Sequence, residues 1–313
     1  MIRVATKALG LAECCRFSSL FHENEPATNR VSRPDPERLE DLVHYFHELS
    51  GHGLLLLRRQ VASAVKKPSR KRNHGSSAQH RRPPRFPREL AIIYEDDAVV
   101  AVNKPAGLLA VPVEGSDAPS ALSLLSADLK ARRQRALVVH RIDRFTSGVL
   151  LFAKTQSDRD ALVRQFLAHT PVRQYLAVVR GHLAAKQGAV VHYFRREGMH
   201  QKLSSKRDSK AARAELTYSL ERTLRGATLV RVSLVTGLQN QIRVQFAALG
   251  HPVIGDRKYC PDEAAERRIA RVALHAACLQ FIHPRSGEAV SIECDIPADF
   301  GSLLQALSPR TSH

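Results

Sequence analysis

The chain has 313 residues, 43% of them hydrophobic, and its 48 Lys and Arg against 30 Asp and Glu give a net charge of +18. That length allows one large domain or two smaller ones with a sizeable core, and that charge selects a polyanionic partner, nucleic acid first. No apolar run reaches the roughly 18 residues of a membrane span. The five cysteines (Cys14, Cys15, Cys260, Cys278 and Cys294) form no C-x-x-C pair, which argues against a disulfide framework or a zinc site and for a reducing, cytoplasmic setting.

In chain order, residues 1–21 carry Arg3, Lys7 and Arg16 but also Glu13 and no serine before Ser18, so they read as a helix and not as a transit peptide. Leu39, Leu42, Val43, Phe46 and Leu49 recur every three or four positions, which extends an N-terminal helical region to residue 65. Residues 66–88, "KKPSRKRNHGSSAQHRRPPRFPR", hold nine Lys or Arg, no acid and little that is apolar. A stretch of that composition cannot bury enough to order itself, so 66–89 is expected to be a disordered basic linker and a salt-sensitive phosphate-binding arm.

The main domain is expected over 90–308. Strands are predicted at 98–102, 137–139, 149–153, 174–179, 214–221, 228–235, 273–281 and 289–293. Helices are predicted at 120–130, 158–168, 240–249 and 299–307, with Ser157 as N-cap of the second and Asp158 and Asp160 in its first turn. Several strands follow one another without helices, and "RVSLV" and "ELTYSLE" alternate in period two. The expected class is therefore α+β, a mostly antiparallel mixed sheet flanked by helices, and not a doubly wound fold. Neither G-x-G-x-x-G nor G-x-x-x-x-G-K-[ST] occurs, so no nucleotide cofactor is expected.

The residues richest in chemistry are "VVHRIDRFTSGVLLFAKT" at 138–155: two apolar runs separated by a charged turn that ends at Gly148. His140, Asp143 and Ser147 do not make a hydrolase triad by themselves, and no G-x-S-x-G elbow is present. A carboxylate flanked by arginines repels a cation, so no metal is expected. Arg141 and Arg144 beside Asp143 favour its charged form, which leaves a nucleophile, a base or an Asp that merely pins a turn.

The same residues resemble the H-R-L-D-x-x-T-S-G-L-L-L-x-A-K signature of the RluA-type RNA pseudouridine synthases. In the same order, "IIYEDDAVVAVNKPAGLLAVP" resembles that family's opening strand and N-K-P-x-G-L turn, and "RQYLAVVRG" its K-x-Y-x-A-x-V-x-G strand. "TGLQNQIRVQFAALGHPVIGDRKY" is similar to T-G-R-x-H-Q-I-R-x-H…G-x-P-x-x-G-D-x-x-Y, and "LHAACLQFIHP" and "IPADF" follow in place. The likeness covers about 90–300.

The resemblance implies the pseudouridine synthase fold and an isomerase that converts uridine in RNA to pseudouridine without a cofactor. The uridine would be flipped from its stack. It implies Asp143 as the catalytic aspartate, acting at the sugar C1′ or as a base at the 2′ position. Arg243 would pair with Asp143, and Tyr175 would stack on the uracil and serve as acid or base at C5. Arg141 would fill the space left by the flipped nucleotide, with Arg144 beside it on the RNA. His140 would orient the loop by hydrogen bonding, Thr146 and Ser147 would satisfy loop backbone groups, and Gly148 would allow a sharp exit. Leu238, Asn240 and Gln245 depart from the family's usual Arg, His and His, which bears on substrate choice.

A second basic run at 195–213, with Lys202, Lys206 and Arg207, is expected to be a mobile RNA-clamping loop. The expected partner is ribosomal RNA, with transfer RNA as the alternative, and the protein is expected to be a monomer with no membrane contact. Against the enzyme stands a non-catalytic RNA-binding or ribosome-assembly protein that keeps the fold. The intact Asp143, Arg141, Tyr175 and Arg243 set favours the enzyme.

Overall fold

A computed structural model describes residues 90–198, 200–260 and 268–309. The expected helical extension at 1–65 and the linker at 66–89 lie outside the described residues. Among the described residues no helix is long and apolar enough to cross a membrane.

Eleven strands form one sheet, in the order β1 (Ala91–Glu95), β2 (Val99–Lys104), β4 (Ser147–Ala153), β10 (Leu274–Ile282), β5 (Val172–Arg180), β9 (Ala227–Leu234), β8 (Ala212–Leu224), β6 (Gln187–Glu197) and β7 (His200–Ser204). β3 (Leu137–Val138) pairs with β4, and β11 (Ala289–Glu293) with β10. Among the described strands only β4 and β10 run parallel, with His275 opposite Ser147 and Ala276 opposite Gly148. The expected α+β, mostly antiparallel mixed sheet is thus what folds.

β2 and β4 form its most buried part, and their alternation shows why. Val99 and Ala101 face one hydrophobic cluster, which includes Leu162 and Phe166 of α2 (Gln156–Leu167). Val100 and Val102 face another, closed by Leu125 and Leu129 of α1 (Ala121–Ala131). A strand sandwiched in this way reads as an unbroken apolar run, which is how "VLLFA" appears in the sequence. Ser120 caps α1 in a reciprocal box with Ser123. The N-cap of α2 is Thr155, whose hydroxyl accepts the Asp158 N–H, and not Ser157; the helix starts earlier than expected, and Asp158 alone is acidic in its first turn. The third cluster joins β5, β8, β9 and β10 to α3 (Gln241–Ala248) and α4 (Ala298–Ala306), through Ile242, Phe246, Phe300 and Leu303.

The expected loop at 195–213 is instead mainly β-structure. Arg195 pairs with Lys202 and Arg196 with Gln201 across β6 and β7, and 212–213 open β8. β1, β6 and β7 had no predicted counterpart. In β6 only Val190 and Phe194 are buried, too sparse a pattern to announce a strand, and β7 is short and largely polar, as edge strands are.

Candidate active site

The quoted loop runs from β3 to β4 and is tied to the turn after β2. Thr146 N–H donates to Asp143 O at 3.1 Å, which closes a four-residue turn, and Gly107 N–H donates to Arg144 O at 2.8 Å. Arg144 Nε returns a bond to Gly107 O at 3.0 Å. The ammonium of Lys104, buried at the end of β2, donates to Arg144 O at 3.1 Å, Pro105 O at 3.0 Å and Leu108 O at 2.9 Å. Three carbonyls thus occupy all three of its protons. Burial pulls its pKa down to about 7, against the opposing pull of the Asp143 carboxylate.

Beyond the turn, Gly148 has φ of 112°, and a Cβ there would lie 2.1 Å from Ala276 O. The parallel approach of β4 to β10 therefore requires glycine. Ser147 does not serve the loop backbone as expected: its hydroxyl lies 2.9 Å from His275 Nδ1, and His275 Nε2 donates to Cys294 O at 3.0 Å. That second bond fixes the tautomer, so the Ser147 hydroxyl is the donor to Nδ1. This buried relay joins the loop's exit to β10. His140 stacks on Phe166 with ring centroids 4.7 Å apart, and its Nε2 accepts the Leu151 N–H at 3.1 Å. Burial first, then Arg173, holds its pKa down to about 3, so the ring is neutral.

Asp143 is a quarter exposed at the mouth of this assembly, with Arg243 Nη1 3.6 Å from its Oδ2. The expected pair is present, but it is the weaker of Arg243's two carboxylate contacts. Its Nε and Nη2 make a bidentate bond, at 2.7 and 2.8 Å, to Asp256, which is fully buried. Nη1 also donates to Asn240 Oδ1 at 2.5 Å. Asp256 in turn accepts the backbone N–H groups of Lys258 and Tyr259, and the Tyr259 ring lies 5.1 Å from the guanidinium. A planar fork locked on one side can present its remaining nitrogen to Asp143 in one geometry only.

Tyr175 projects from β5, in register with Val232 and Ala276. It is almost wholly buried, in the same cluster as Ile142 of the loop. Burial, with a further push from Asp143 and an opposing pull from Arg173, raises its phenol to about 12, so it is protonated at neutral pH.

The structure thus brings Asp143, Arg243 and Tyr175 together from three separated segments. Arg141 is exposed on the loop, and Arg144 rests over the Phe145 ring at 5.5 Å. Lys202, Lys206 and Arg207 are exposed on β7 and the turn that follows, where Lys202 pairs with Glu197 at 2.6 Å. Their arm packs beside the site, because Phe194 and Ala214 share a cluster with Val244 of α3, Leu238 and Tyr259.

Sequence reasoning missed Lys104 and Asp256. Both lie inside quoted motifs, N-K-P and G-D-R-K-Y, but nothing in either sequence marks the charge as buried, and it is the fold that buries both. The three departures have structural uses. Leu238 packs, Asn240 sits in a left-handed conformation (φ 54°) and holds Arg243, and buried Gln245 donates to Val190 O and Ala214 O across β6 and β8.

The profile of the RNA pseudouridylate synthase family matches residues 98–248. The chain is 34% identical to the ribosomal large subunit pseudouridine synthase D of Zymomonas mobilis, over 73% of this chain and 75% of that one. It is 37% identical to the dual-specificity RNA pseudouridine synthase RluA of Vibrio cholerae, over 73% of this chain and 92% of that one. Among solved structures, human RNA pseudouridylate synthase domain containing 1 superposes with a TM-score of 0.57 at 25% identity, covering 71% of this chain and 89% of that one. The chain belongs to the RluA-type RNA pseudouridine synthases. It is an enzyme that isomerises uridine in RNA.

Proposed function

We propose that the substrate is ribosomal RNA and that Asp143, Arg243 and Tyr175 carry the reaction on a flipped-out uridine. The observation that supports these roles best is the single partly exposed carboxylate of Asp143, flanked by an arginine that Asp256 immobilises and by a buried phenol. The reaction breaks the N1–C1′ bond, turns the uracil and joins C5 to C1′. The proton lost from C5 balances the one gained at N1. Asp143 acts on the ribose, at C1′ or by taking a proton at the 2′ position. Tyr175 lies against the uracil and serves as acid or base at C5: because its phenol holds its own proton at neutral pH, it takes up the C5 proton only as it gives one up, and the net transfer is from C5 to N1. Arg243 keeps Asp143 aimed. Arg141, exposed two residues before Asp143, enters the gap the uridine leaves, and Arg144, Lys202, Lys206 and Arg207 meet phosphate.

Ribosomal RNA is favoured because the relative from Zymomonas mobilis is named for the large ribosomal subunit and because a charge of +18 suits a long, phosphate-dense partner. Transfer RNA is the second reading, and the dual-specificity name of the Vibrio relative shows that a relative can act on more than one RNA target. The protein acts as a monomer in the cytoplasm. Pseudouridines would be mapped in total RNA from cells lacking the protein, complemented with wild type or Asp143→Asn. A large-subunit uridine modified only with wild type is the expected result. A transfer-RNA position alone would transfer the assignment, and no difference at any position would remove it.

A further inference from the structure

The turn that carries Asp143 also displays an aromatic ring. Phe145 is 40% exposed, whereas its neighbours Ile142, Thr146 and Ser147 are buried. An exposed phenylalanine on a mobile surface would mean little, but this one is held. The turn closes between Asp143 and Thr146, and Arg144, the residue before the ring, is fixed through both its carbonyl and its Nε to Gly107, and through the carbonyl to Lys104. The Arg144 guanidinium lies over the Phe145 ring at 5.5 Å from its centroid. Asp143 and Phe145 are two residues apart on a turn whose ends lie within about 7 Å, so the ring stands close to where the reacting ribose must sit. Within the loop signature this position is not one of the defining residues.

Resting on the synthase reading above, we propose that Phe145, with Arg144 over its ring, is a stacking platform for the base adjacent to the target uridine. Flipping a nucleotide disrupts the stacking of both its neighbours; with Arg141 in the gap itself, a rigid apolar ring two residues from the catalytic carboxylate offers one of those neighbours a further stacking surface. Stacking on an aromatic tolerates every base and favours single-stranded or extruded ones. The consequence is a preference for uridines whose neighbour is free to leave a helix. Phe145 is a binding and positioning residue, so its contribution appears in KM and affinity more than in the chemical step.

The test pairs protein and RNA variants. The full-length chain with Phe145, Phe145→Leu or Phe145→Trp is titrated with a 12-nucleotide single-stranded RNA bearing one uridine between two adenosines. The same RNA with abasic sites in place of both adenosines is the control. Leucine keeps apolar bulk and removes the π face; tryptophan enlarges it. Wild type is expected to bind the intact RNA about tenfold more tightly than the abasic one, within the range of aromatic–base stacking. Phe145→Leu should abolish that preference without changing the melting temperature, and Phe145→Trp should keep it. Equal preference in wild type and Phe145→Leu, or none in wild type, overturns the platform. The binding readout separates the two readings: failure of the synthase reading removes turnover and leaves this difference, whereas failure of the platform removes this difference and leaves turnover.

Discussion

Gly148 and His140 show how narrowly single residues are constrained in the loop. At Gly148 a Cβ would meet the Ala276 carbonyl at 2.1 Å, and φ of 112° strains any side chain. Gly148→Ala should therefore destabilise the fold by about 3 kcal/mol or more, read as a lowered urea midpoint. A midpoint within error of wild type would contradict the described approach of β4 to β10. His140 is held neutral, with its pKa about 3 against 6.5 in the unfolded chain. Between those values the unfolded chain binds a proton that the folded chain does not. The stability tied to this group is thus complete above pH 6.5 and is lost as the pH falls toward 3. A His140→Gln variant should show a flatter fall in urea midpoint between pH 7 and 5 than wild type; parallel curves would mean that His140 is not buried in this way.

At this scale the sequence was informative where chemistry and motif coincide. Asp143, Arg243 and Tyr175 were legible through their motifs, and Gly148 through the steric logic of a sharp exit. Asp256 was not, because an aspartate in "GDRKY" looks like a turn residue until the fold buries it against a guanidinium 13 positions earlier. Ser147 was assigned the wrong partner for a similar reason: His275 is 128 residues away, and the parallel pairing of β4 and β10 brings the hydroxyl and the imidazole together.

Among the elements, the central strands declared themselves by composition, since "VVAVNK" and "VLLFA" have apolar faces on both sides. The arm formed by β6, β7 and the start of β8 did not, because most of its side chains are exposed and its order comes from backbone pairing and from Phe194 packed on Val244. A basic run whose nearest buried anchors, Phe194 and Ala214, lie just outside it reads as a loop. As a docked hairpin, the arm offers its charges from a position set by α3, the helix that carries Arg243. Changing Lys202, Lys206 and Arg207 together to Gln should weaken RNA binding and reduce the slope of log K against log salt by about 2. The deduction is below the three charges removed because Lys202 is already paired with Glu197. An unchanged slope would place RNA elsewhere on the protein.

For the whole molecule, a net charge of +18 gave the polyanionic partner, and the succession of strands gave the α+β class. Domain limits at 65 and 89 came from composition alone and concern residues outside those described. The sheet order was beyond sequence reasoning, because it depends on long-range pairings such as β10 between β4 and β5, which no local pattern encodes. That order nonetheless is what gathers the loop, β5 and α3 around one carboxylate.

The most direct test of that carboxylate's role is tritium release. RNA transcribed with uridine labelled at C5 loses the label to water when C5 becomes bonded to C1′. The purified full-length chain should release tritium from large-subunit ribosomal RNA, and Asp143→Asn should bind the same RNA with unchanged salt dependence and release none. Equal release by both proteins would contradict the role of Asp143, and no release by wild type that binds the RNA would contradict ribosomal RNA as its substrate.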